Sequence, residues 1–486
     1  MVLKLFNRYS VYILLLTLAC VQTCYLCIKI SDFKWEFADD LITLNLVNQD
    51  FSSFIQALGS GINLFPPLYF CFGYFLISFC ELPKDLLLWV HVPLLWLCIW
   101  LSFQVFKNFS SDIVAALGVI MLMTVKSSLL TQTFYARPYF FYYTATLLLL
   151  VAVFNLEKSY SRKNFILLWI YFQLLTLTHY YGFPIGLLIC TPILFYNLSK
   201  TSKLKNLILT ITPTIIVYLY ILPKQLEFNF FLGTLPEVSF KNLFHIYQLL
   251  AMPAFVILIL LIITLGAKLN RYKLPKLNVP WPLFTLALSP IAIGLILIIS
   301  FKEGLYYRYF IPCQIGLLGL ALWISYPSLI LKSKRFTSLL LSILALSSIS
   351  LWAKRNFGSV NTSLPSNDIG ALDFDKSRVI TEDIPFFTSH FPTFLSLINE
   401  SNWPINTFLF RTNEQDFDEM PKFNKLFTPV SLENLKDHES FFYHFYYSGP
   451  HSNIDFIPSK WAHENNYVIT EIQTYPLLLK FDSKID

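Results

Sequence analysis

Residues 139–156, YFFYYTATLLLLVAVFNL, run for eighteen positions without a charge. A helix of that length rises about 27 Å, close to the roughly 30 Å hydrocarbon thickness of a bilayer. Comparable runs recur at 9–30, 86–106, 206–222, 248–266, 282–300, 310–330 and 336–352, with shorter ones at 165–179 and 183–197. Runs 64–80 and 113–130 leave open whether they cross or lie flat. In lipid every backbone polar group must be paired inside the segment, so such a chain crosses as helices. Composition agrees. Hydrophobic residues make up 55% of the 486 and charged residues 14%, with a mean hydropathy of +0.56, which excludes a soluble globular protein of this length.

The charges sort into two regions. Residues 1–352 carry 25 Lys and Arg against 12 Asp and Glu, whereas residues 353–486 carry 11 against 18. A basic membrane module over 1–352 is therefore expected to precede a soluble extracytoplasmic domain over 353–486. Basic residues collect at Lys4/Arg8, Lys158/Arg162/Lys163, Lys200/Lys203/Lys205, Lys268/Arg271/Lys273/Lys276 and Lys332/Lys334/Arg335. Placing all of these in the cytoplasm puts the Asp39–Asp40 loop, His179–Tyr181, 301–309 and the tail on the other side. Parity requires one of the runs between Asp40 and Arg137 not to cross. Choosing 64–80 as an interfacial or re-entrant helix places Lys107 inside and gives about eleven spans, with the N-terminus cytoplasmic. The first run lacks a small-residue cleavage site and reads as a retained helix. The fold class is a polytopic α-helical membrane protein with a C-terminal extracytoplasmic α/β domain. In that tail INTFLF, FFYHFYY and NYVITEIQTYPLLLKF read as strands, and SRVITEDIPFFTSHFPTFLSLI as strand, turn and helix.

All eight cysteines lie before residue 352, and Cys20, Cys24 and Cys27 share helical spacing. They read as small buried helix residues rather than a soft metal site. No HExxH, EF-hand, Walker A or GxGxxG pattern occurs, so no metal and no nucleotide cofactor is expected. No basic-aromatic run points to nucleic acid.

Several polar groups gather at the outer ends of the spans, where charge is costly and marks function. Asp39 and Asp40 begin DDLITLNLVNQDFSSFIQAL, whose apolar spacing is helical. Neighbours on a helix point about 100° apart, so one carboxylate acts while the other supports it or faces solvent. Two solvated loop charges are the plain alternative. Arg137 sits in TQTFYARPYFFYY where the chain enters the membrane. Its guanidinium could grip a phosphate bidentately or snorkel to headgroups, and Arg308 in YYRYF carries the same two readings. His179 in LTHYYGF reads as a hydrogen-bonded structural residue.

The ordered set of adjacent acids, Pro66-Pro67-Leu68-Tyr69, ARPY, HYYG and RYF-x-P resembles the GT-C membrane glycosyltransferases, more narrowly their protein-mannosyltransferase and aminoarabinose-transferase branch. The resemblance covers most of residues 1–320 and is poor in the tail. It implies a sugar donor linked to a polyprenyl phosphate and an inverting transfer to an acceptor hydroxyl on a lipid, glycan or protein. It makes Asp39 and Asp40 the catalytic pair, with Asp39 as general base. The family commonly has Asp-Glu where this chain has Asp-Asp. Arg137, Arg308 and Lys302 would stabilise the departing phosphate, while Tyr69 and His179 would shape the pocket. No cofactor and no metal are implied. The bacterial inner membrane is the expected location. A membrane transporter, a lipid-linked glycan flippase or a glycan polymerase is the rival reading. A transporter is disfavoured because no internal repeat is visible, and a polymerase by the Asp-Asp of the first loop.

Overall fold

The computed structural model describes residues 2–31, 38–59, 65–125, 133, 135–196, 200–226, 239–266, 280–300, 307–330 and 334–358, and in the tail 386–388, 407–409, 435, 438–445, 465, 467–474 and 477–483. Before residue 359 the described residues are mostly helical. Helix α1 (Val2–Ser31) leads to two short helices, α2 (Ala38–Val47) and α3 (Phe51–Gly59). Next come α4 (Leu68–Tyr74), a π-helical turn (Phe75–Phe79), α5 (Leu86–Trp89), α6 (His91–Lys107) and α7 (Asp112–Thr124). Helices α8 (Tyr139–Lys158), α9 (Arg162–Thr178), α10 (Gly182–Tyr196) and α11 (Lys200–Leu226) follow. The series closes with α12 (Phe240–Leu250), α13 (Met252–Gly266), α14 (Trp281–Ser300), a 3-10 turn (Tyr307–Phe310), α15 (Cys313–Ile330) and α16 (Lys334–Gly358).

Among the described residues, four helical stretches are long and apolar enough to cross a membrane: Val11–Ser31, Leu86–Lys107, Tyr139–Lys158 and Lys205–Pro223. A fifth is reached if α12 and α13 form one broken span. The run 248–266 is therefore not one straight helix, because α12 and α13 meet at 60°. Ser239 starts α12, its hydroxyl accepting the Asn242 amide at 3.2 Å, so that helix begins before the apolar run does. The four-residue helix α5 and α6 together supply the run at 86–106.

Burial identifies α8 as the central helix. It packs against α6, α9 and α10, and Phe140, Tyr142, Tyr143, Leu147 and Leu150 have no exposed surface. Helix α11 is the opposite case. Ile216, Leu219 and Tyr220 are 62%, 72% and 65% exposed, an apolar outer face of the kind lipid covers. The inner contact is tight between α14 and α15: a Cβ on Gly316 would meet the Ala287 nitrogen at 2.5 Å and the Leu283 carbonyl at 2.6 Å. Only glycine lets those two backbones approach so closely. Cys20 and Cys24 are exposed on α1 and Cys27 half-buried, which corrects their reading as buried. Their side of α1 faces outward, while Leu18, Gln22 and Leu26 face the core.

The stretch expected as a single helix after Asp39 is two. Asp50 divides it: its carboxylate accepts the Ser53 amide at 3.0 Å and the Ser53 hydroxyl at 2.6 Å, a side-chain cap that starts α3. Pro66 and Pro67 precede α4, with Pro67 at its N-cap, where a missing N–H costs nothing. From Leu68 to Phe79 the chain advances about 18 Å, short of a full crossing.

Five strands are described in the tail: β1 (Phe386–Thr388), β2 (Thr407–Leu409), β3 (Ser440–Phe445), β4 (Tyr467–Thr474) and β5 (Leu477–Ser483). They form one sheet in the order β2-β1-β3-β5-β4. β1 runs parallel to β2 and β3, whereas β3, β5 and β4 are antiparallel. The NYVITEIQTYPLLLKF segment is a hairpin, with a register shift between Glu471 and Gln473. The helix expected after the first strand lies outside the described residues.

Candidate functional site

Asp39 and Asp40 occupy the first turn of α2. The Asp39 side chain is outside the described residues. Asp40 has no exposed surface, so it does not face solvent. Its Oδ1 accepts the backbone N–H of Ala136 at 2.7 Å, a charge-assisted bond. That bond anchors the first loop to the residue before Arg137.

Arg137 is 6% exposed and does not snorkel. Its Nη1 donates to Thr43 Oγ1 at 3.5 Å, and its guanidinium lies 5.5 Å from the centre of the Phe65 ring, within cation–π range. Thr43 sits one turn after Asp40 on α2, so one helix holds both the acid and a partner of the base. Tyr69 is buried beside them. Burial raises its phenol above the ordinary value, Asp40 raises it further and Arg137 opposes them. All three groups thus share one field. Among the described residues the Tyr69 hydroxyl has no hydrogen-bond partner.

Arg308 reaches the same place from the 3-10 turn. Its guanidinium lies 5.1 Å from the centre of the Tyr139 ring and 6.0 Å from that of Tyr309. Tyr139 flanks Arg137 in sequence but carries Arg308 in space. His179 sits within this aromatic wall. It stacks on Tyr142 at 4.6 Å and meets Tyr309 at 5.0 Å and Phe65 at 5.2 Å. Its Nδ1 accepts the Tyr181 amide at 3.1 Å. Burial, and then the Arg308 charge, push the imidazole down to about 3, so it is neutral at physiological pH. Lys302 lies outside the described residues. The structure thus brings Asp40, Arg137 and Tyr69 into one electrostatic neighbourhood, with Arg137 on Phe65, while Phe65 and Tyr139 link it to His179 and Arg308.

Two supports were not anticipated from the sequence. Gln225 is buried near the end of α11. Its amide donates to the Leu58 carbonyl at 2.9 Å and the Phe65 carbonyl at 3.3 Å and accepts the Tyr180 hydroxyl at 2.6 Å. It ties the first loop to the His179 loop. His91, at the start of α6, pairs its Nδ1 with the Thr133 carbonyl at 2.8 Å and touches Phe140 and Phe141, steadying the approach to Arg137. A polar residue beside an apolar run is the signal both share. Among the described residues no group of three or more His, Cys, Asp or Glu side chains is placed to hold a metal ion.

The arrangement puts a buried carboxylate, two guanidiniums and a wall of aromatic rings together. It can bind an anion and a flat or polyhydroxylated group side by side. No protein-family model matches the chain, and no curated protein matches it. Solved structures do. ArnT from Cupriavidus metallidurans in the apo state superposes with a TM-score of 0.56 at 11% identity, over 99% of this chain and 98% of that one. The same protein bound to undecaprenyl phosphate gives 0.55 at 10% identity, over 97% of each chain. Similarity end to end at this level shows that the chain shares the fold of ArnT.

Proposed function

We propose that the chain is a glycosyltransferase that moves a sugar from a polyprenyl-phosphate donor to an acceptor hydroxyl. The observation that carries this reading is the Asp40–Ala136 bond, which sets the acidic turn of α2 against Arg137. The shared fold supports it, since one of the ArnT structures holds undecaprenyl phosphate.

In the proposed reaction Asp39 takes the proton of the acceptor hydroxyl. The oxygen attacks the anomeric carbon from the face opposite the phosphate. The bond from that carbon to the phosphate oxygen breaks, and polyprenyl phosphate departs carrying the electron pair. It needs no proton to leave, so one base suffices. Arg137 and Arg308, with Lys302, neutralise the growing phosphate charge. Asp40 holds the loop, and Tyr69 and His179 line the sugar pocket. In this reading residues 1–352 form the membrane module with about eleven spans, an N-terminus in the cytoplasm and the site on the outer face of a bacterial inner membrane. Residues 353–486 form the outer domain.

The test uses purified membranes, a polyprenyl-phosphate sugar labelled in the sugar, and the wild type beside Asp39→Asn. Label leaving the lipid in the wild type and staying in the variant supports the proposal. Equal release by both removes Asp39 as base. No release by a folded wild type across several sugars points instead to transport or to another donor.

A further inference from the structure

The other end of α2 opens into a second feature. A cleft of about 500 Å³ is lined by Leu44, Asn48, Gln49 and Asp50 on one side, and by Ile77, Ser78, Glu81, Leu82 and Lys84 on the other. The rise of a helix places Leu44 about 7 Å and Asn48 about 13 Å beyond Asp39 along the chain. An occupant of the cleft therefore lies within one or two sugar rings of the acidic turn.

The lining argues for what that occupant is. Asn48 and Gln49 offer amides that both donate and accept. Glu81 adds an acceptor and Lys84 a donor, while Asp50, already holding Ser53, and the Ser78 hydroxyl, already donating to Val47, keep lone pairs that can accept, over an apolar floor of Leu44, Ile77 and Leu82. Convergent polar groups on an apolar base are how proteins orient small polar ligands. Two carboxylates and one lysine among the lining residues disfavour an anion, so the donor phosphate does not belong here. A lipid tail would bury these polar groups unpaired. Closely spaced hydroxyls can engage them all.

The cleft is also held in shape. Glu81 has φ 55° and is the one non-glycine residue with positive φ among those described. A side chain in that region is costly and persists where the surroundings impose it. Here they do: the Cys80 amide donates to Phe75 at 2.9 Å and the Leu82 amide to Leu76 at 3.1 Å, closing the π-helical turn. The Ser78 hydroxyl donates to the Val47 carbonyl, joining the two walls. π-Helical turns of this kind recur at functional sites.

We infer that this cleft seats the acceptor, and that the acceptor is an uncharged carbohydrate. The inference rests on the transferase reading for the word acceptor, but binding is measurable without donor. The full chain in lipid nanodiscs is mixed with maltotriose, mannotriose, N-acetylchitotriose, sialyllactose and a Ser/Thr peptide, and saturation-transfer NMR reports contact. The comparison protein carries Asn48→Ala with Glu81→Gly. Glycine accepts a positive φ freely, so the second change removes a carboxylate without opposing the backbone. The expected result is contact with at least one neutral trisaccharide, weakened by roughly tenfold in the double variant, the scale of one or two lost polar contacts. Contact with sialyllactose or the peptide alone, contact unchanged in the double variant, or no contact with any probe overturns the inference. Sugar bound in the cleft by a chain that never consumes donor defeats the transferase reading and leaves the cleft as a carbohydrate site.

Discussion

Asp40 and Ala136 are 96 residues apart and joined by a 2.7 Å hydrogen bond in a region with no exposed carboxylate surface. The bond makes the position of Arg137 depend on the acidic turn of α2. Asp40→Ala leaves the Ala136 amide buried without its acceptor, at a cost of about 1.5–3 kcal/mol. Asp40→Asn keeps an oxygen that can accept the bond. Thermal unfolding in detergent is expected to rank wild type, then Asn, then Ala. Equal midpoints for Ala and Asn would show that the bond carries no stability.

Arg137 offers a sharper functional test. Its guanidinium rests on Phe65 and reaches Thr43, a planar arrangement that an ammonium does not copy. Arg137→Ala is expected to slow sugar release by on the order of 10²–10³-fold, as for loss of one preorganised charge at a developing anion. Arg137→Lys should recover part of that loss. Full recovery by Lys would mean that charge alone matters and that planar contact does not.

His179 gives a pH prediction. Its folded value is about 3 against 6.5 for the ordinary imidazole, lowered by burial and then by Arg308. Below 6.5 the unfolded chain binds a proton that the folded chain refuses, so this residue withdraws stability as pH falls from about 6.5 towards about 3. His179→Phe keeps a ring against Tyr142 and has no proton to bind. Its unfolding midpoint should therefore fall less than that of the wild type over that window. Parallel curves would remove His179 as the cause.

Gln225 is the strut between the loops. Gln225→Ala releases the Leu58 and Phe65 carbonyls and the Tyr180 hydroxyl together. Loosening Phe65 should weaken the seat of Arg137, raising the donor KM more than it lowers kcat. The reverse split would place Gln225 nearer the reacting atoms.

Gly316 tests the packing beneath the site. Gly316→Ala forces a methyl against the Leu283 carbonyl and the Ala287 nitrogen, neither of which can move as a side chain would. A cost of about 1–3 kcal/mol is expected from overpacking, read as an earlier unfolding transition. An unchanged midpoint would show that α14 and α15 separate without penalty.

The helices were legible in the chain because hydrophobic runs and their boundaries are local. Most apolar runs fall on one helix in the described residues, 86–106 and 248–266 on two, and the described parts of INTFLF, FFYHFYY and the last hairpin are strands, because periodicity is written in consecutive residues. Local signals misled where a single side chain changed the path. Asp50 split one expected helix into two, and the run at 248–266 bends just before Pro253, which sits in the first turn of α13 and cannot donate back to the preceding turn. The candidate residues were legible as polar and aromatic groups near the ends of apolar runs: the acids, Arg137, Arg308, Tyr69 and His179. Which of them meet was not. Nothing in the order of residues says that Tyr139 carries Arg308 rather than its neighbour Arg137, or that Gln225 reaches back 167 positions to Leu58. Such contacts depend on how helices pack side by side, which no short stretch of sequence encodes. The sequence by itself determined that most of the chain before residue 352 is a series of apolar helices, since within lipid a helix pairs its backbone groups inside its own segment. The tertiary structure alone decided that Asp40 is buried against the Ala136 amide, because that bond requires α2 and the start of α8 to be neighbours in space.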